Sequence, residues 1–135
     1  MKKFIIKGPN KAVKGNVKIS GAKNSCLPLM AASILFKNKV ILKNVPFVKD
    51  VITMKDLLSS LGAKVVFSES KKIMTITNKK NHKLIVPYNL VSTMRAGVLT
   101  MGSLLGRYPQ KNIKVAQGGG CALGVRDTSW HLSGF

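Results

Sequence analysis

The stretch QGGGCALGVR, residues 117–126, sets three consecutive glycines directly before one of the chain's two cysteines, with an arginine five positions beyond it. Glycine permits backbone conformations and close approaches that a side chain would block. The glycines form neither the G-x-G-x-x-G of a dinucleotide site nor the G-K-[ST] of a phosphate loop. A lone cysteine ordinarily packs as a small hydrophobe. A thiol on a glycine-rich loop near Arg126 is instead accessible, in a field that favours thiolate, so Cys121 is the candidate reactive side chain. The chain carries only three arginines beside 20 lysines. Arg95 and Arg126 are accordingly candidates for forked binding of a phosphate or carboxylate, whereas Arg107 follows a helical segment in a turn and is expected at the surface.

A second group of chemical interest is SGAKNS, residues 20–25, which joins a strand-like stretch to an apolar helical one. Free backbone N–H groups and the helix dipole favour an anion at such a junction, and Lys23 adds a full charge. The same residues also read as an ordinary turn with a solvated lysine, and Asn24 as a helix cap.

The elements that must position these groups follow from periodicity. Residues 16–20 alternate Val17 and Ile19 with polar neighbours and predict a short strand. The apolar run at 25–36 predicts a helix buried on several faces, with Pro28 tolerated in its first turn. Residues 39–43 read as a strand. DVITMKDLLSSLG then puts Val51, Met54, Leu57, Leu58 and Leu61 on one helical face, with Asp50 as N-cap and Gly62 as the stop. Residues 63–67 and 73–77 are strands joined by the polar SESKK, which completes a unit at about 16–78. A second, incomplete unit at about 84–135 contains strand signals at 84–87 and 113–115. Between them runs a helical segment at 90–105, with small residues at Ala96, Gly97, Gly102 and Ser103 that allow close packing. The halves rhyme as apolar helix, basic turn and short strand, so an internal duplication is expected, with a mixed sheet and helices packed on it.

Composition narrows the classes. The formal charge is +19 from 23 basic and 4 acidic residues, which favours anionic partners. The lysines are scattered in pairs such as Lys71 and Lys72 rather than clustered with arginines and stacking aromatics, which argues against a dedicated nucleic-acid reader. Cys26 and Cys121 form no C-x-x-C, and with His82 and His131 the only histidines there is no zinc cluster. No apolar run is long enough for a signal-peptide core or a membrane span. A cytoplasmic protein with reduced thiols, and no metal or cofactor, is expected. The apolar end at HLSGF suggests that the chain is cut within an element.

SGAKNSCLP near the start, TMRAG in the middle and GGCALGVR near the end, together with NVPFVKDV and LLSSLGAKV between them, resemble the N-terminal third of the UDP-N-acetylglucosamine enolpyruvyltransferase (1-carboxyvinyltransferase) family. The resemblance implies an α/β fold, the inside-out barrel of the enolpyruvyl transferases built from βαβαββ units, with the active site in a cleft between two domains. It implies that Lys23 and Asn24 hold phosphoenolpyruvate, that Arg95 contacts substrate, and that Cys121 donates a proton to the enol carbon. Arg126 would open the segment Asp127, Thr128, Ser129, Trp130 and His131 that grips the uridine nucleotide. The chain departs from the family pattern in Gly118, where the family has proline. It departs again at Asp127 and Ser129, where the family has the proline and aspartate of Pro-x-Asp-x-His. The family chain runs about three times as far, so the remainder would be needed to complete the site. Two other readings are an inactive fragment keeping an anion seat, and a basic nucleic-acid-binding protein.

If the charge reflects composition alone, mixed oligonucleotides bind without sequence preference, and affinity falls steeply between about 50 and 200 mM salt as scattered lysines release counterions. A titration at two salt concentrations checks this; retained, sequence-selective binding at the higher salt overturns it.

Overall fold

Residues 51, 54, 57 and 58 of DVITMKDLLSSLG line one face of an α-helix, and in the computed structural model of the chain all four are fully buried. The structure describes residues 3–8, 12–92, 94–116, 129 and 133–134. The elements in chain order are α1 (Lys23–Ala32), a 3-10 turn (Ser33–Leu35), β1 (Val40–Lys43), α2 (Lys49–Ser60), β2 (Lys64–Ser68) and β3 (Ile73–Thr77). There follow β4 (Ile85–Val86), α3 (Tyr88–Val91), a second 3-10 turn (Arg95–Val98), α4 (Leu99–Arg107) and β5 (Lys114–Val115).

β3 lies between β1 and β2, antiparallel to both. The register sets Val40, Ile76 and Val65 in one cross-strand row and Leu42, Met74 and Phe67 in another two residues along. With a side-chain period of two, both rows share a face. That face meets the helices, and Met74 and Ile76 at its centre are fully buried. The opposite face leaves Ile41 and Val66 about half exposed. β4 and β5 form a separate parallel pair, joined by the crossover through α3 and α4.

Gly62 ends α2 as predicted. Its φ of +107° is a left-handed conformation that an L side chain rarely adopts. Around it the N–H of Ala63 donates to the Leu58 carbonyl at 3.0 Å and that of Gly62 to Ser59 at 3.0 Å, a Schellman closure.

Several expectations are corrected. Residues 16–20 form no strand: Val17 and Ile19 are 83% and 77% exposed. Alternation makes a strand feasible, but its backbone needs a neighbour to bond with, and no described residue supplies one. α1 begins at Lys23, two residues early, so Pro28 lies inside the helix and withholds the N–H that would pair with the Asn24 carbonyl. The same helix buries one face, with Cys26, Leu27, Met30 and Ala31 inward and Leu29 outward. Asp50 is not the N-cap of α2. Val48 occupies that position, and Asp50 sits in the first turn. The expected helix at 90–105 is broken by extended backbone at Met94, φ −141° and ψ 112°. Of the small residues, Gly97 does serve close packing: a Cβ there would stand 2.6 Å from Val91 Cγ1.

Arg107 is also not a plain surface residue. Its Nη1 donates to the carbonyls of Ile34 at 2.6 Å and Phe36 at 2.8 Å, and its Nη2 to Lys79 at 3.3 Å. Asn78 Nδ2 donates to Ser33 at 2.6 Å and Phe36 at 2.8 Å. Together they bind carbonyls in and just after the turn that closes α1, and the guanidinium suits the negative end of the dipole. Because both Asn78 donors are occupied this way, its Oδ1 faces His82 Nε2 at 3.1 Å, so that nitrogen carries the proton. Nδ1 then accepts from the Tyr108 hydroxyl at 2.9 Å. The neutral imidazole links the first unit to the C-terminal end of α4.

Burial of His82, with Arg107 nearby, pushes its pKa below the ordinary 6.5. The unfolded chain therefore takes up the proton first, and the stability that the neutral ring contributes is full above about pH 6.5 and lost as pH falls toward the folded pKa. Urea unfolding between about pH 7 and 5.5 is expected to show a falling midpoint that His82→Gln flattens. Parallel profiles for the two proteins would contradict this assignment.

Candidate active site

The turn that precedes α1 is shaped by Gly21. A Cβ there would collide with the carbonyl oxygen of Asn44, so only glycine lets the two backbones approach. Asn44 itself is left-handed, φ 57°, a conformation asparagine tolerates. The next residue, buried Val45, donates its N–H to the carbonyl of Lys72 at 2.9 Å. The start of α1 is thereby seated on the segment between β1 and α2, which is braced in turn on the β2–β3 turn.

This seating brings two helix N-termini together. Lys23, in the first turn of α1, reaches Asp50, in the first turn of α2, with Nζ 2.8 Å from Oδ2. Both side chains keep solvent access, at 47% and 36% exposure. Ala22 caps α1 without a side-chain hydrogen bond, and no acidic residue lies in its first turn. The first intrahelical donor is Cys26 N–H, to Ala22 at 3.0 Å. The N–H groups of Lys23, Asn24 and Ser25 therefore lie at an uncapped, solvent-facing helix start, where the dipole favours an anion. Asn24 is exposed in this turn and does not cap the helix.

Beside the turn a groove of about 410 Å³ runs between α1 and β1, lined by Gly21, Ser25, Cys26, Ile41 and Asn44 among others. Cys26 is buried at its base, and that burial raises the thiol pKa, which keeps it protonated and poorly nucleophilic.

Arg95 opens the second 3-10 turn, is half-buried and is engaged in an interaction there. That turn packs on α2, so α2 is the common neighbour of the elements carrying Lys23 and Arg95. Ser129 is exposed, and its carbonyl accepts from Ser133 Oγ at 2.9 Å. Cys121, Arg126, Asp127, Thr128, Trp130 and His131 lie outside the described residues. The residue that sequence reasoning missed is Asp50: its type and position suggest a cap, and its partner is 27 positions away. Among the described residues no three His, Cys, Asp or Glu side chains gather as metal ligands, and no helix is long and apolar enough to cross a membrane.

The α/β architecture and a positively charged helix start fit the class of enolpyruvyl transferases, and the comparisons agree. The structure of the enolpyruvyl transferase NikO from Streptomyces tendae superposes with a TM-score of 0.63 over 73% of this chain and 22% of that one, at 19% identity. Residues 7–135 match the EPSP synthase (3-phosphoshikimate 1-carboxyvinyltransferase) family, and the chain belongs to that family. Within it, the UDP-N-acetylglucosamine 1-carboxyvinyltransferase of Magnetococcus marinus is 44% identical over 135 residues, all of this chain and 31% of its own length. The protein of that name from Pelagibacter ubique is 45% identical over 132 residues, 98% of this chain and 30% of its own. The chain thus spans about a third of the length of these relatives.

Gly21→Ala is expected to displace the turn, since the colliding atom is backbone and cannot rotate away. The cost is of the order of 1–3 kcal/mol, as for other overpacked sites. Thermal unfolding measures it. An unchanged midpoint with an intact Lys23 to Asp50 ion pair, read by NMR, would show that the approach is not constrained as described.

Proposed function

We propose that the chain is the N-terminal portion of an enzyme that transfers the enolpyruvyl group of phosphoenolpyruvate to the 3-hydroxyl of UDP-N-acetylglucosamine, releasing phosphate. This is the first committed step of bacterial peptidoglycan synthesis, and the setting is the cytoplasm. The observation that carries this reading is identity of 44% along the whole chain with a protein of that name. The positive helix start at Lys23 is consistent with it, because both substrates are anions.

The chemistry assigns work to each group. The sugar hydroxyl gives its proton to a base from the remainder of the enzyme and adds to C2 of the enol, whose methylene carbon takes a proton; the phosphate then leaves C2 as a methyl proton passes to a base, which regenerates the double bond. Cys121, as thiol, supplies the first proton. Lys23 and Asn24 hold phosphoenolpyruvate, and the positive charge stabilises phosphate as negative charge develops on it. Arg95 contacts substrate, and Arg126 with the segment from Asp127 to His131 receives the uridine nucleotide. Two units, at about 16–78 and 84–135, make up this portion, and the remainder of the enzyme closes the cleft over the substrates.

The test is phosphate release by the chain completed with its missing portion, supplied with both substrates. Cys121→Ala is expected to lower turnover by about 10²-fold or more, the scale set by removing a general acid. Cys121→Asp, which still offers a proton, is the mildest change. Turnover unaffected by Cys121→Ala would remove the assignment.

A further inference from the structure

Among the described residues two ion pairs form, and they differ in kind. Lys55 and Asp56 are neighbours on one helix. Lys23 and Asp50 are 27 positions apart and join the first turns of α1 and α2 at 2.8 Å. A pair as exposed as this one contributes little to stability. Its consequence is geometric. A lysine stem has several rotatable bonds and its amine samples a wide volume; a carboxylate at 2.8 Å holds it between the first turns of α1 and α2.

We infer that Asp50 is a positioning residue, which holds the Lys23 ammonium where the first turns of α1 and α2 meet, so that it faces an incoming phosphoenolpyruvate from a fixed place. The inference rests on the proposed function. An ammonium has three donors. Asp50 occupies one, and the others remain for the ligand. The negative charge of Asp50 is itself partly offset, since it lies in the first turn of α2, at the positive end of that helix. The arrangement is assembled from the backbone up: Gly21 lets α1 start against Asn44, and six residues beyond Asn44 the chain presents Asp50.

The experiment measures protection of Lys23 from acetylation by phosphoenolpyruvate, using the chain completed with its missing portion and mass spectrometry of the modified peptides. In the unaltered chain, phosphoenolpyruvate protects Lys23. In Asp50→Asn, half-protection is expected to need about tenfold more ligand, the scale of a single charge-assisted hydrogen bond. Asp50→Glu restores most of the difference, and Asp56→Asn, which removes the same charge elsewhere on α2, leaves the half-point unchanged. Far-ultraviolet circular dichroism reports the fold; should Asp50→Asn not fold, Asp50→Ser, which keeps a residue suited to a helix start, carries the same comparison. Protection in the unaltered chain with an equal or lower half-point in the Asp50 variants overturns the inference alone and makes the carboxylate a competitor for the ammonium. Absence of protection in the unaltered chain instead counts against the proposed function and takes this inference with it.

Discussion

The structure depends on burying one face of a three-stranded sheet. Met74 and Ile76, on the central strand, have no solvent exposure, and the helices that cover them are fixed by that requirement. α1 contributes Met30 and Ala31 to the cover, and α2 contributes Val51, Met54, Leu57 and Leu58. Once both helices lie on the same face, their packing against each other determines where their first turns stand. The position of Lys23 relative to Asp50 is thus a by-product of core packing. No local signal in SGAKNS would have placed it.

A second constraint acts at the other end of α1. A helix that stops in the interior leaves carbonyls to be met, and here side chains reach those of Ser33 and Ile34 in the closing 3-10 turn and of Phe36 just after it. Asn78 and Arg107 supply the donors from two different segments. His82 and Tyr108 then complete a network in which no buried side-chain nitrogen or oxygen of the described residues lacks a partner. An apolar contact would join these segments without fixing how they meet. The polar network fixes the tautomer of the ring and the orientation of the amide, so it specifies one arrangement of the first unit against α4.

What was legible in the sequence follows from the range of the forces concerned. α2 was readable because its apolar spacing is local and strongly periodic, and Gly62 because a left-handed stop needs a residue without Cβ. β2 and β3 were readable from alternation, although β2 begins one residue later than expected. Residues 16–20 show the limit of that signal, since alternation describes a strand's two faces and carries nothing about its neighbour. The break at Met94 was invisible because no proline or turn residue marks it; across it Gly97 closes on Val91. Arg107 and Asp50 were misassigned for a different reason. Each was read against adjacent residues, whereas the partners lie 73 and 27 positions away. At the candidate site, Lys23 and Asn24 were singled out from residue type and position, and both stand in the first turn of α1. The cysteine loop was singled out from its glycines and from family resemblance, and it lies outside the described residues.

The charge of +19 adds a last step to this reasoning. A field of that size draws any anion toward the surface and raises the rate of encounter, but it is nearly the same for every small phosphate. Discrimination has to arise at short range, where direction matters as well as sign. Most of the 20 lysines cannot supply direction, because a solvated ammonium on a free stem reorients with its counterions. Lys23 differs in being held by a carboxylate from another helix, 27 positions away, at the exposed first turn of α1. In a chain with only four acidic residues, a carboxylate that pairs with Lys23 across two helices limits the directions its ammonium can take.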